Sequence, residues 1–197
     1  MQEDESYFEE LSERLQSNYY KTRRGAIEEL VELDEPGWDV VSLLLHALRD
    51  EDEEVRGDAI YELGEINDLR AFEPLKTSLL DRSFHNRASA VIALSKFGEV
   101  ALKPLLEALG DETSIVLETI ARVISEAGLS GINALITVLY SPDKPRQRDA
   151  AFCLSSIRNS IIIEPLRQIL LDKTQDDEVR YWSVIALEQF DKAKVSL

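Results

Sequence analysis

A single cysteine, Cys153, excludes any disulfide within this chain of 197 residues and points to a reducing compartment, with the cytoplasm as the default. Basic residues are scarce: 22 stand against 38 acidic ones, a formal net charge of −16. Such a surface repels a phosphate backbone or an anionic membrane, so neither nucleic acid nor membrane is expected as a partner. The deficit is uneven, with 18 acids and 6 bases in residues 1–60. No apolar run reaches the length of a membrane span. The first residues, MQEDESYFEE, have neither a basic nor an apolar leader region, so a soluble, unprocessed protein is expected. There is no glycine-rich phosphate loop, nucleophile elbow or paired-cysteine motif, so no ordinary enzyme class is indicated and no cofactor is expected.

What the sequence does contain is a repeat. The stretch DEDEEVRGDAIYELGEI, Asp50 to Ile66, runs from five consecutive acids into an amphipathic helix with Val55, Arg56, Ala59, Ile60, Leu63 and Ile66 at helical spacing. With Ala59 as anchor, equivalents fall at Ala26, Ala90, Ile120, Ala150 and Ser183, separated by 33, 31, 30, 30 and 33 residues. Four residues after the anchors stand Leu30, Leu63, Leu94, Ile124, Leu154 and Leu187. Seven after them stand Leu33, Ile66, Phe97, Ala127, Ile157 and Phe190, so each second helix is expected to bury one stripe over two turns.

Upstream leucines, Leu11, Leu44, Leu75, Leu105, Leu135 and Leu166, give every repeat a first helix. Pro74, Pro104 and Pro165 mark first-helix starts, where a missing N–H costs nothing. Gly64, Gly98 and Gly128 are expected to cap second helices in the left-handed conformation. Asp50, Asp81, Asp111 and Asp172 fall in the bends, where a short carboxylate can cap. The acidic run is then mainly a turn, its density leaving room for a basic partner.

Helix pairs reading PLLEALGD or LLLHALRDEDEEVRGDAIYELGEI resemble HEAT repeats, in particular the short subtype of the E/F-type phycobilisome bilin lyases and their relatives. The resemblance runs from about Leu11 to Phe190. It implies an all-α fold, a right-handed α-solenoid of about six HEAT-like helix pairs forming one repeat domain over residues 1–197. The usual valine–arginine pair becomes Val116–Leu117 in the fourth repeat and Arg146–Gln147 in the fifth, departures that leave the fold intact and alter the surface. Iron-dependent HEAT-repeat hydroxylases carry histidine–glutamate pairs, but His46 precedes Ala47 and His85 precedes Asn86. No metal site is assigned: two histidines and one cysteine, far apart, make no closed zinc site, and solvated acidic turns are simpler than a carboxylate-only one.

Residues two before and two after each anchor lie on the outward face of the second helix, at 100° per residue. After the anchor they are Glu28, Tyr61, Ile92, Arg122, Phe152 and Ile185; before it, Arg24, Gly57, Ala88, Glu118, Arg148 and Tyr181. A solvated face should be polar. Since the resemblance puts second helices on the concave side, Tyr61, Ile92, Phe152, Tyr181 and Ile185 are expected to form a broken apolar ridge there, with Arg122 and Arg148 as polar contacts. Exposed apolar surface of this kind marks an interaction site; the competing reading is that neighbouring helices cover it.

The expected function is a non-enzymatic protein-binding scaffold. The resemblance adds an alternative, a bilin lyase subunit or chromophore-handling factor, whose partner is a phycobiliprotein or a second lyase subunit. Lys144, Arg146 and Arg148, in a loop stiffened by Pro142 and Pro145, would suit an acidic or propionate-bearing partner if not simply solvated. His85 reads as exposed polar surface in a turn, Cys153 as a small thiol at the edge of the buried stripe, and Trp38 as a cap over a neighbouring apolar stripe.

Overall fold

Apolar residues at helical spacing make each segment of this chain a helix, and aspartate, glycine and proline set the breaks. The structure, a computed structural model, describes residues 2–33, 39–111 and 113–195, with side chains between 6 and 190. Among the described residues there are twelve α-helices and no strand. Trp38 lies outside the described residues.

The chain divides into two compact units, the first ending at Phe97 and the second beginning at Gly98. In the first unit α1 (Gln2–Arg14) pairs with α2 (Tyr20–Val31), α3 (Val40–Ala47) with α4 (Glu53–Ile66), and α5 (Phe72–Ser78) with α6 (Phe84–Ser95). In the second, α7 (Leu102–Glu107) pairs with α8 (Ser114–Glu126), α9 (Gly128–Leu139) with α10 (Lys144–Ser155), and α11 (Ile163–Leu171) with α12 (Asp177–Val195). Each unit therefore holds three helix pairs, and the fold is of the α-solenoid class.

All six anchors, Ala26, Ala59, Ala90, Ile120, Ala150 and Ser183, are fully buried, as are five of the six residues four places on; Leu187 is half-buried. The six first-helix leucines are buried too. Each such side chain taken out of water is worth about 1.5–3 kcal/mol, so this layer supplies most of the cohesion. The stripe is shorter than expected: Ile66 and Ala127 are exposed. The cause is helix length, since Ile66 is the last residue of α4 and Ala127 lies beyond α8.

Pro74, Pro104 and Pro165 each stand third in a first helix, as their missing N–H requires. A 3-10 turn precedes each of these helices, at Leu69–Ala71, Gly98–Ala101 and Ser160–Ile162. Gly98 (φ +69°) and Gly128 (φ +65°) take the left-handed conformation. Gly64 does not: it sits inside α4, where an added Cβ would come within 2.7 Å of Ala93 Cβ on α6, and Asn67 (φ 54°) is the left-handed cap instead. Gly64 is there for close helix approach.

The bend aspartates accept the backbone N–H two residues on: Asp50 from Asp52 (2.9 Å), Asp81 from Ser83 (2.8 Å), Asp111 from Thr113 (2.8 Å) and Asp172 from Thr174 (2.9 Å). Two also receive an arginine from the preceding second helix. Arg23 donates Nε and Nη2 to Asp50, at 2.7 and 2.6 Å, and its Nη1 to the Ser17 carbonyl. The helix N-cap after the acidic run is Asp52, which accepts from the Glu54 and Val55 N–H groups.

Where Leu117 and Gln147 replace arginine, the wiring changes. Gln147 Nε2 donates to the Leu139 carbonyl at 2.8 Å, and buried Asp149 on α10 accepts from Gly110 N–H at 2.7 Å. No described helix is long and apolar enough to cross a membrane.

Candidate functional site

On the outward faces of the second helices the seven candidate residues separate by unit. In the first unit Tyr61 on α4 is 59% exposed and Ile92 on α6 is 41% exposed. Glu62, half-buried beside Tyr61 in sequence, has its carboxyl pushed above the ordinary range, first by burial and then by Asp58, Glu65 and Glu28. Arg24 does not offset this group freely, since it holds both Asp58 and Glu54. The face is aromatic, apolar and acidic.

In the second unit Arg122 is exposed on α8 and pairs with Glu126 one turn on, at 3.0 Å. Tyr181 on α12 is 57% exposed; Phe152 on α10 and Ile185 on α12 are half-buried. The Phe152 ring meets Trp182 edge to face, with centroids 4.8 Å apart and planes at 81°. Tyr181 in turn lies 5.1 Å from Trp182. This corner opens into a cavity of about 370 Å³ lined by Asp111, Ser114, Leu117, Arg148, Asp149, Phe152, Glu178 and Trp182. The structure thus brings Phe152, Arg148 and Tyr181 together around a residue that the outward-face count omits. Trp182 lies one place before its anchor, and a count including that position would have found it.

Arg148 lies at the cavity with its charge engaged: Nε donates to Asp149 Oδ1 at 2.9 Å, and Nη1 stands 3.5 Å from Glu178 Oε2. The expected cationic loop is also corrected. Lys144 begins α10, Asp143 caps it through Arg146 N–H, and Pro145 belongs to its first turn. Lys144 Nζ donates to Gln147, and Arg146 Nη2 donates to the Glu107 carbonyl at 3.1 Å. A helix spreads these three cations over its surface instead of gathering them.

Cys153 is not at the edge of the stripe but fully buried, and burial, with Asp149 near, pushes its thiol far up. Such a thiol is packed and unreactive. His85 is exposed against Phe84, with ring centroids 4.1 Å apart. Among the described residues no group of three His, Cys, Asp or Glu side chains is placed to hold a metal ion. The acidic run is largely consumed in the fold: Asp50 holds Arg23, Asp52 caps α4 and Glu54 pairs with Arg24.

A family profile described as HEAT repeats matches residues 8–95 and 41–125, more than half of the sequence between them. The chain belongs to the HEAT-repeat family. Among solved structures this HEAT-repeat chain is similar to an engineered protein at 23% identity, with 94% of this chain and 96% of that one covered and a TM-score of 0.51. It is also similar to Escherichia coli YibA, at 24% identity over 91% of this chain and 69% of that one, TM-score 0.49. A designed armadillo repeat protein in complex with the peptide (KR)4 aligns at 18% identity over 92% and 98%, TM-score 0.48. At these identities the likeness concerns the fold alone. No curated protein matches the HEAT-repeat chain.

Proposed function

We propose that this HEAT-repeat chain is a non-enzymatic scaffold that binds another protein through the outward faces of its second helices, its repeats acting as one domain over residues 1–197. Tyr61 and Ile92 are the contacts in the first unit, and Phe152, Tyr181, Ile185, Arg148 and Arg122 those in the second. The observation that carries the reading is the Phe152–Trp182 corner, open to a cavity of about 370 Å³ and flanked by a Tyr181 that is 57% exposed. Aromatic side chains at a concave, partly desolvated spot are the usual anchors of an interface. A cytoplasmic setting belongs to the same reading and is supported by the single free cysteine.

The bilin lyase resemblance gives the geometry less to work with. An open-chain tetrapyrrole carries two propionates that need cations, whereas Arg122 and Arg148 already hold Glu126 and the Asp149–Glu178 pair. A polypeptide needs no such free cations. Affinity capture from source cells with wild-type, Tyr61→Ala and Tyr181→Ala chains tests the proposal. A protein retained by the wild type and lost from both variants at unchanged melting temperature supports it, and equal retention by all three refutes it.

A further inference from the structure

We infer that the second-unit cavity receives a cationic side chain, a lysine or arginine, from a basic segment of the bound protein. The inference rests on the protein-binding reading above and supplies the chemistry of the occupant. Three carboxylates line the cavity, Asp111, Asp149 and Glu178, against one guanidinium, Arg148. Arg148 is held between Asp149 and Glu178, so it neutralises one of the three charges and offers little to an anion. An acidic ligand would meet a net negative wall, and an apolar one would strip water from carboxylates without replacing it.

A cation gains on both counts. The perpendicular Phe152 and Trp182 rings form a corner in which an ammonium or guanidinium group finds an aromatic face as well as opposite charge. The Glu178 side chain, 66% exposed, stays open to solvent and is placed to meet an incoming charge. The first unit shows the same combination independently, with exposed Tyr61 next to Glu62 in a field of Asp58, Glu65 and Glu28. The charge of −16 on the whole chain points the same way, favouring encounter with a basic partner. The sequence suggested cations at Lys144, Arg146 and Arg148 for an acidic partner; their internal engagement reverses that sign.

The test uses the full chain and three fluorescein-labelled peptides that alternate leucine with lysine, acetyl-lysine or glutamate, read by fluorescence anisotropy. The lysine peptide is expected to bind at least tenfold more tightly than the other two. Glu178→Gln is expected to weaken it several-fold, while the charge-matched Glu164→Gln, outside the cavity lining, leaves it unchanged. Equal binding of the acetylated peptide, equal losses in both glutamine variants, or no binding of the lysine peptide would each overturn the inference. Should the glutamate or acetylated peptide bind well and Tyr181→Ala abolish it, the cationic chemistry fails while protein binding stands. The capture experiment with Tyr61→Ala and Tyr181→Ala decides the latter separately.

Discussion

Arg56 in the second helix of one repeat grips Asp81 in the bend of the next with two parallel hydrogen bonds, Nε to Oδ2 at 2.7 Å and Nη2 to Oδ1 at 2.9 Å. Its remaining nitrogen, Nη1, donates to the Asp50 and Glu51 carbonyls. One side chain therefore closes the bend of its own repeat and ties it to the following one. Both partners are nearly out of solvent, the geometry in which loss of one charge strands the other.

Asp81→Ala is therefore expected to cost about 3–5 kcal/mol in urea unfolding, because the Arg56 charge stays buried without its partner. Arg70→Ala, which breaks the solvated pairs with Asp68 and Asp39, should cost less than about 1 kcal/mol. Similar losses in the two variants would mean that the Arg56–Asp81 pair is not buried.

Acid should act on the same pair. Burial would raise the Asp81 carboxyl, but hydrogen bonds from Arg56, Ser83 N–H and Asn86 outweigh it and hold the group below its usual range. A depressed carboxyl contributes stability that is present above the unfolded value, about 4, and is lost as pH falls through the lower folded value. Glu62 carries the opposite sign, being raised by burial and by Asp58, Glu65 and Glu28, so its charged form costs stability at neutral pH. Glu62→Gln should raise the melting temperature at pH 7, and the gain should vanish near pH 3, below both values. A melting temperature that falls at pH 7 would contradict this assignment.

Two glycines test the difference between close packing and backbone conformation. Gly64→Ala forces a methyl to within 2.8 Å of Ala93 Cα, and overpacking of that kind costs roughly 1–3 kcal/mol. Gly98→Ala meets nothing within 4 Å but keeps φ at +69°, a left-handed strain of about 1–2 kcal/mol. Shortening Ala93 to glycine should rescue the first variant and leave the second unchanged, as read by thermal denaturation.

The repeat was legible because a helix pair reuses the same buried position: an anchor that must be small or β-branched recurs from Ala26 to Ser183. Helix length was less legible, and Ile66 and Ala127 fell outside the stripe because α4 and α8 stop before another turn. The fate of charges was not legible at all. Whether Arg148 serves a ligand or Asp149 depends on which side chains meet across repeats, and Asp149 is recruited by the Gly110 N–H where Leu117 leaves the usual arginine missing. Trp182 escaped for a similar reason, since its value as a site residue comes from Phe152 thirty residues earlier.

The apolar candidates should differ in what they do for the fold. Tyr61→Ala, at an exposed position, is expected to change stability by no more than about 0.5 kcal/mol. Phe152→Ala removes half-buried packing against Trp182 and should cost about 1–2 kcal/mol, below the 3–5 of a fully buried ring. Equal, large losses would place Tyr61 in the core and remove it from any binding surface.

Hydrogen–deuterium exchange of the chain, alone and with the protein it captures, tests the binding face most directly. Peptides from the second helices Lys144–Ser155 and Asp177–Val195 should gain protection, while those from the first helices Gly128–Leu139 and Ile163–Leu171 should not. Protection confined to the first helices would contradict the account.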